Sequence, residues 1–284
     1  MSERAGSRPW LLVAPGALLF IGMVVLPLIL TAILSFHIYQ EGTGVGSEFT
    51  IANYAAVFFD SYYLEIFWRT LRLAALTTLI CALLGVPEAY ILARMGHPWR
   101  SIFLLVIIGP LLVSVVVRAF GWSMLLGSGG LVVQAGQALG LGVPRLLYTE
   151  TAIVIALVHV MMPFMVIPVW TALQRLDPSV EAAAWALGAS HVTALRRVVL
   201  PQVSLGVLSG SLIVFGLSAS AFAIPGLLGG RRLKMAATVV YDEFMLQLNW
   251  PLGAAIAITL LVANLVIMLA YNRIIETRAR RALG

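Results

Sequence analysis

Six apolar runs, each long enough to cross a bilayer as a helix, constrain this chain more than any other feature. They lie at about 10–36, 67–93, 101–126, 150–173, 203–228 and 250–272. Each meets the roughly 20 helical residues needed to span a hydrocarbon core of about 30 Å. A chain that is 61% hydrophobic and 11% charged, with a mean hydropathy of +1.00, has no soluble shape that would bury so much apolar surface. The expected fold class is therefore an all-α polytopic membrane protein of six transmembrane helices. The first run has no small-residue cleavage site after it, so it reads as a retained span rather than a signal peptide.

Charge gives the orientation. The net charge is +6, but the basic residues sit at the ends of apolar runs and form no stripe with interleaved aromatics, which excludes a nucleic-acid surface. Short cytoplasmic segments carry an excess of Arg and Lys. With the N-terminus inside, those segments hold Arg4, Arg8, Arg94, Arg100, Arg175, Arg196, Arg197, Arg273, Arg278, Arg280 and Arg281, which is 11 of the 18 basic residues. Both termini are thus expected to be cytoplasmic. The first outer segment carries Glu41, Glu48, Asp60 and Glu65 and no basic residue. The cluster at 231–234 (Arg231, Arg232, Leu233, Lys234) is the misfit, either a loop folding back toward the membrane or a local exception. Lys234 is the one lysine and Met235 follows it, so the chain carries no phosphate-cradling GxxxxGK[ST] loop. The single cysteine, Cys81, lies in a span and permits no intrachain disulfide.

Two features point to a pathway rather than an anchor. The fifth run is crowded with Gly, Ser and Ala, including Gly206 and Gly210, which let helix backbones approach closely. Pro225 and Gly226 are expected to break that helix near its outer end. The second feature is charge within spans: Glu88 in the second and Arg118 in the third, each costing about 2.5–3.5 kcal/mol at a helix centre, so each faces protein or water. A structural ion pair or a side chain reaching the interface is the plain alternative for both. The histidines at 37, 97, 159 and 191 are dispersed and make no metal motif, and His159 reads as a packed polar residue.

Between the fourth and fifth runs lies DPSVEAAAWALGASHVTALRRVVLP, residues 177–201, a polar and helix-forming interruption. Asp177 is an N-cap with proline at the first helical position. Ala182, Ala183, Ala184, Ala186 and Leu187 continue the helix until Gly188 ends it. Ser190 caps a second short helix in which Leu195, Val198 and Val199 share a face, Arg196 and Arg197 point away, and Pro201 closes it. The product is an elbow, either a docking device or an interfacial helix pair.

These residues resemble the EAA loop of ATP-binding-cassette importer permeases, whose pattern is Glu-Ala-Ala, three residues, Gly, nine residues, an aliphatic, one residue and Leu-Pro. Gly188, Val198, Leu200 and Pro201 reproduce the second half in full, whereas the family's Glu position falls on Ala182, with Glu181 one residue early. Passages 85–94, 117–132 and 218–230 resemble the spermidine/putrescine permease subgroup. The resemblance implies an importer permease core at 67–272 with its coupling loop at 174–202, preceded by a segment 1–66 and followed by a basic tail 273–284. It implies that Glu181, Ala182, Ala183, Ala184, Gly188, Ala189, Ser190, Leu200 and Pro201 couple the chain to an ATPase. It also implies half of a translocation pathway for a small solute, a polyamine first, with Glu88, Tyr90, Arg118, Trp122 and Phe222 lining it. The implied partners are a cytoplasmic ATPase dimer holding ATP and Mg, a second permease and an extracytoplasmic solute-binding protein; no cofactor is expected in this chain.

The alternatives are an ion-coupled secondary transporter, which would carry an inverted repeat and midplane ionisable groups, and a permease for another small organic ion. The aromatic rings of Tyr90, Phe120, Trp122 and Phe222 suit a cation. Arg118 speaks for an anionic group or an internal partner.

Overall fold

The computed structural model describes residues 8–42, 44–140, 146–230 and 232–283. Arg4, used above to orient the chain, and Arg231 of the basic cluster lie outside them. Every regular element is a helix, and an isolated bridge between His37 and Phe49 is the only β pairing among the described residues. The first four helices are α1 (Arg8–Leu34), α2 (Ala52–Phe59), α3 (Ser61–Arg94) and α4 (Trp99–Ile108), of which α2 lies between the first two apolar runs. Next come α5 (Val115–Leu126), α6 (Leu131–Ala138) and α7 (Glu150–Gln174). The elbow comprises α8 (Pro178–Ala186), α9 (His191–Ala194) and α10 (Leu200–Gln202). The rest is α11 (Ser204–Ala219), α12 (Ala223–Leu228), α13 (Ala236–Met245) and α14 (Trp250–Leu283). Five helical stretches are long and apolar enough to cross a membrane, and the bent pair His191–Gln202 and Ser204–Ala219 makes a sixth if counted as one span.

Three expectations need correction. The third run is not one helix over 101–126. It is α4, a 3-10 turn at Gly109–Leu112, an extended break at Val113 and Ser114, and then α5. Pro110 has no amide to continue the α ladder, and the amide of Val113 closes the tighter turn onto the Pro110 carbonyl at 3.1 Å. The crossing-length apolar stretch there is Val115–Ala138. Second, the fifth run breaks at residues 220–222 and not at Pro225 and Gly226. Both lie within α12, where Pro225 falls in the first turn and its missing amide has no intrahelical partner to lose. Third, Pro201 does not end its helix. The chain widens to a π turn at Leu195–Val199, with the Leu200 amide reaching back to the Leu195 carbonyl, and continues to Gln202 before bending by 71° into α11.

The chain forms two compact units. The first comprises Met1–Leu64 and Val239–Leu261. Within it, Asn53 donates to the carbonyls of Ser35 at 2.9 Å and His37 at 2.8 Å, and the hydroxyls of Ser35 and Tyr54 meet at 2.7 Å. These bonds pin α2 to the end of α1. The rest of α1 is apolar on all sides, and its most hydrophobic stretch has no buried residue, so lipid or another protein must cover it.

The second unit comprises Glu65–Thr238 and Val262–Gly284 and is built around α7. Ala152, Ile153, Ala156, Leu157, Met165, Val166 and Val169 of α7 are wholly inaccessible. α11 runs along α7, with contact close enough at Gly206 that a Cβ there would lie 2.7 Å from the Ala172 Cβ. Met165 of α7 sits between two glycines: a Cβ on Gly85 of α3 would meet its Cγ at 2.9 Å, and a Cβ on Gly210 of α11 would meet its Sδ at 2.9 Å. At one end of the unit, Glu150 in the first turn of α7 pairs with Arg72 at 2.5 Å and Arg69 at 3.5 Å. Arg69 also donates to the Lys234 carbonyl, and the buried Thr70 hydroxyl accepts from the Ala236 amide at 2.8 Å. Lys234 and Ala236, at the end of the basic cluster, are thus bonded to α3.

Candidate functional site

The elbow is assembled by local rules that its residues obey one after another. The Asp177 carboxylate accepts from the Ser179 amide at 2.9 Å, and this bond holds its pKa below the ordinary 3.8. α8 then closes in a Schellman motif: the Gly188 amide donates to the Trp185 carbonyl at 2.9 Å and the Ala189 amide to the Ala184 carbonyl at 3.0 Å. That closure needs a left-handed residue, and Gly188 supplies it at φ +83°. Ser190 starts the next helix by accepting from the Thr193 amide at 3.3 Å. Ala194 and Val199 are buried, Leu195 and Val198 half-buried, and Arg196 and Arg197 exposed, as the expected facing requires. Around the turn stand exposed apolar side chains: Leu187 is 89% exposed, Val192 59% and Trp185 39%. The Trp185 indole meets the His191 ring edge-on at 5.1 Å between centroids, fixing one flank of this knob. Ala182, Ala183 and Pro201 are also exposed, whereas Ala184, Ala189 and Leu200 are partly covered.

Glu181 does something the sequence did not suggest. The resemblance lists it among the ATPase-coupling residues, yet it is 2% exposed and its carboxylate leaves α8 for the last turns of α3. One oxygen accepts from the Tyr90 hydroxyl at 2.5 Å and the other from the Arg94 guanidinium, which lies 4.3 Å over the Tyr90 ring. Tyr90 therefore belongs with the elbow rather than with the other pathway candidates. Arg94 was read only as a topology signal. The clue to it was its place four residues after Tyr90, where helical side chains share a face.

The remaining candidates divide. Arg118 and Trp122 stand one turn apart on α5, and the Trp122 indole donates to His159 Nδ1 on α7 at 3.1 Å. The neutral imidazole then carries its proton on Nε2. His159 is not packed away as expected: with Thr151 it is exposed on a helix whose neighbouring positions are buried, and the half-buried Ile155 and Met162 extend this accessible stripe. Arg118 is half-buried, and its Nε and Nη1 have no hydrogen-bond partner among the described residues, so the internal partner expected for it is missing at those two atoms. Phe222 is 50% exposed at the N-cap of α12, which packs on α5. Glu88, half-buried on α3, makes no ion pair or hydrogen bond with any described residue. No group of three or more metal-ligating side chains occurs among the described residues.

Comparison with known proteins agrees with this architecture. Residues 85–281 match the family model described as "binding-protein-dependent transport system inner membrane component". The chain is 31% identical over 252 residues to the spermidine/putrescine transport system permease protein PotB of Haemophilus influenzae, covering 88% of each chain. It is also 31% identical to PotB of Escherichia coli K12, covering 88% of this chain and 91% of that one. Among solved structures, a bacterial ABC transporter involved in import of the acidic polysaccharide alginate matches with a TM-score of 0.78 and 19% identity, over 97% of this chain and 96% of that one. The family match covers the elbow, the α5 and α7 cluster and the end of α3 together. The chain therefore belongs to the binding-protein-dependent transport-system inner membrane components: it is a permease subunit of an ATP-binding-cassette importer, a multi-pass protein of the bacterial inner membrane.

Proposed function

We propose that this permease forms half of the import pathway for a polyamine of the spermidine/putrescine kind and is driven by a separate ATPase that grips the elbow at residues 177–201. The carrying observation is the elbow itself: two capped helices meeting at a left-handed Gly188, with Trp185, Leu187 and Val192 displayed at the turn. Apolar side chains held out on a rigid corner are what a cleft in another protein buries. On this reading the elbow and both termini face the cytoplasm, and Ala182, Ala183, Ala184, Ala189, Ser190, Leu200 and Pro201 shape the contact. ATP and Mg stay in the partner ATPase dimer, whose closure draws two elbows together and swings the pathway between inward and outward access. A second permease completes the pathway, and an extracytoplasmic binding protein delivers the solute. The pathway residues are Arg118, Trp122 and Phe222, with His159 beside them and Glu88 on α3. The polyamine assignment rests on the names of the PotB relatives.

One observation favours a second reading of the solute. The unpaired nitrogens of Arg118 suit an anionic group better than a polycation. Uptake of radiolabelled spermidine by proteoliposomes holding the complete transporter, competed in turn by putrescine and by small organic anions, separates the two readings. An ion-coupled mechanism falls with the family assignment.

The elbow is tested at Gly188, where a Cβ would meet nothing within 4 Å, so any loss on substitution reflects backbone conformation within this chain. A left-handed backbone costs an ordinary residue about 1–2 kcal/mol, and Asn tolerates it best. Gly188→Val should release the ATPase during affinity purification and abolish uptake while the chain still inserts. Gly188→Asn should keep most of both. Wild-type uptake by Gly188→Val would remove the elbow's coupling role.

A further inference from the structure

We propose that Glu181, Tyr90 and Arg94 form a transmission clasp that delivers displacement of the elbow to α3. This rests on the coupling role proposed above for the elbow and adds to it the route by which the motion enters the spans.

Three observations carry the clasp. First, Glu181 is the one buried residue of α8 among its described side chains, and the one buried charged side chain among the described residues. The other described residues of α8 are exposed or partly covered, so the helix has no apolar core holding it in place. Second, both carboxylate oxygens are engaged by α3: Oε1 by the Tyr90 hydroxyl and Oε2 by Arg94. The free amides at the start of α8 are not what this acid serves, because Asp177 occupies the cap. Third, the two α3 groups are fixed to each other, with the guanidinium carbon 4.3 Å above the tyrosine ring. The carboxylate thus meets a preformed pair rather than two independent side chains.

The energetics make this link stiff in one particular sense. A buried carboxylate is tolerated only while it is paired and hydrogen-bonded, and pulling it off its partners breaks two charge-assisted hydrogen bonds at once. Apolar side chains in a loose contact can slide by a rotamer change without such a penalty. When the ATPase moves α8, its tether to α3 therefore resists separation, and the end of α3 is carried along. α3 is also the helix whose Gly85 receives Met165 of α7, so the motion enters the core of the unit at a tightly packed point.

The test uses the complete transporter with its ATPase bound, in proteoliposomes. A cysteine is placed at Ile91, which is 55% exposed and follows Tyr90 on α3, while the native Cys81 is fully buried and stays silent. Maleimide labelling rates are compared between the nucleotide-free state and the state trapped with ATP and vanadate, a readout that needs no knowledge of the solute. In the otherwise unaltered chain the two rates should differ by about tenfold, within the range typical of coupled sites. Glu181→Gln and, more mildly, Tyr90→Phe should keep the ATPase bound but bring the ratio toward one. The exchanged pair Glu181→Arg with Arg94→Glu should recover much of the difference, which a purely local folding role would not do. A Glu181→Gln protein that keeps the full tenfold difference would overturn the clasp, as would equal labelling in the two states of the unaltered chain. Wild-type uptake by Gly188→Val is a separate result: it would remove the elbow's coupling role and the clasp along with it.

Discussion

Alanine at Gly206 is the sharpest test of how α7 and α11 are packed. The added Cβ would lie 2.7 Å from the Ala172 Cβ, 2.9 Å from the Pro168 carbonyl oxygen and 3.2 Å from the Val169 Cα. Carbon atoms prefer about 3.5–4.0 Å, so the two helices must part locally by somewhat under 1 Å. None of the three obstructing atoms is the end of a flexible side chain; two are backbone, and the third is an alanine methyl fixed to it. Relief must come from moving a helix, and overpacking of this kind costs about 1–3 kcal/mol. Gly216, further along the same helix, provides the contrast. Its Cβ would meet only the Met268 Cε at 3.2 Å, the tip of an unbranched chain that swings aside. There alanine should return most of the roughly 1 kcal/mol that glycine costs a helix interior. Thermal unfolding of the two purified variants in detergent, followed by size-exclusion fluorescence, should show the Gly206→Ala midpoint displaced downward and the Gly216→Ala midpoint level or upward. A Gly206→Ala protein melting at or above the unaltered chain would refute the packing argument.

Other sites give further tests. Thr70 is wholly buried and accepts the Ala236 amide, so Thr70→Val should destabilise by about 1–3 kcal/mol through an unsatisfied amide while Thr70→Ser restores it, measured by the same melt. Arg72 and Glu150 are 48% and 34% exposed, so Arg72→Ala should cost less than about 1 kcal/mol, and that difference should vanish when the melt is repeated in 1 M salt, where screening acts within about 3 Å. The Asp177 carboxyl titrates below its ordinary 3.8 because the Ser179 amide favours its charged form. The stability it lends α8 is therefore complete above that ordinary value and lost as pH falls through the lower folded one. Amide-exchange protection at Ser179 should fall only below pH 3.8, and Asp177→Asn should make it independent of pH there.

What the sequence disclosed and what it hid follow one division. The apolar runs, the Asp177 cap, the Gly188 turn and the Ser190 cap are written in residues within a few positions of one another, and local rules read them. The missing continuity of the third run was legible in part, since Pro110 stands in it, but the tighter turn that absorbs the proline is set by its neighbours' geometry. The same holds at Pro201, where a helix that should stop instead widens over Leu195–Val199 and continues. The pairing of Tyr90 with Arg94 was legible in their spacing, but their link to Glu181 was hidden, because it lies 91 and 87 positions away from them. His159 was misread for a related cause: composition marks it as polar in an apolar run, but only the packing of α7 shows that its stripe is the accessible one.

The seat of Met165 has a mechanical consequence. Its side chain is a key cut for two keyways, one in α3 at Gly85 and one in α11 at Gly210, and each notch is the place where any other residue would carry its Cβ. An axial slip of α3 by one turn, about 5.4 Å, would put the side-chain carbon of Cys81 or Ala89 where the notch had been. Three segments that are far apart along the chain are thereby locked in register. The alternation proposed above between inward and outward access then tilts this trio as a block, with the sliding confined to its borders.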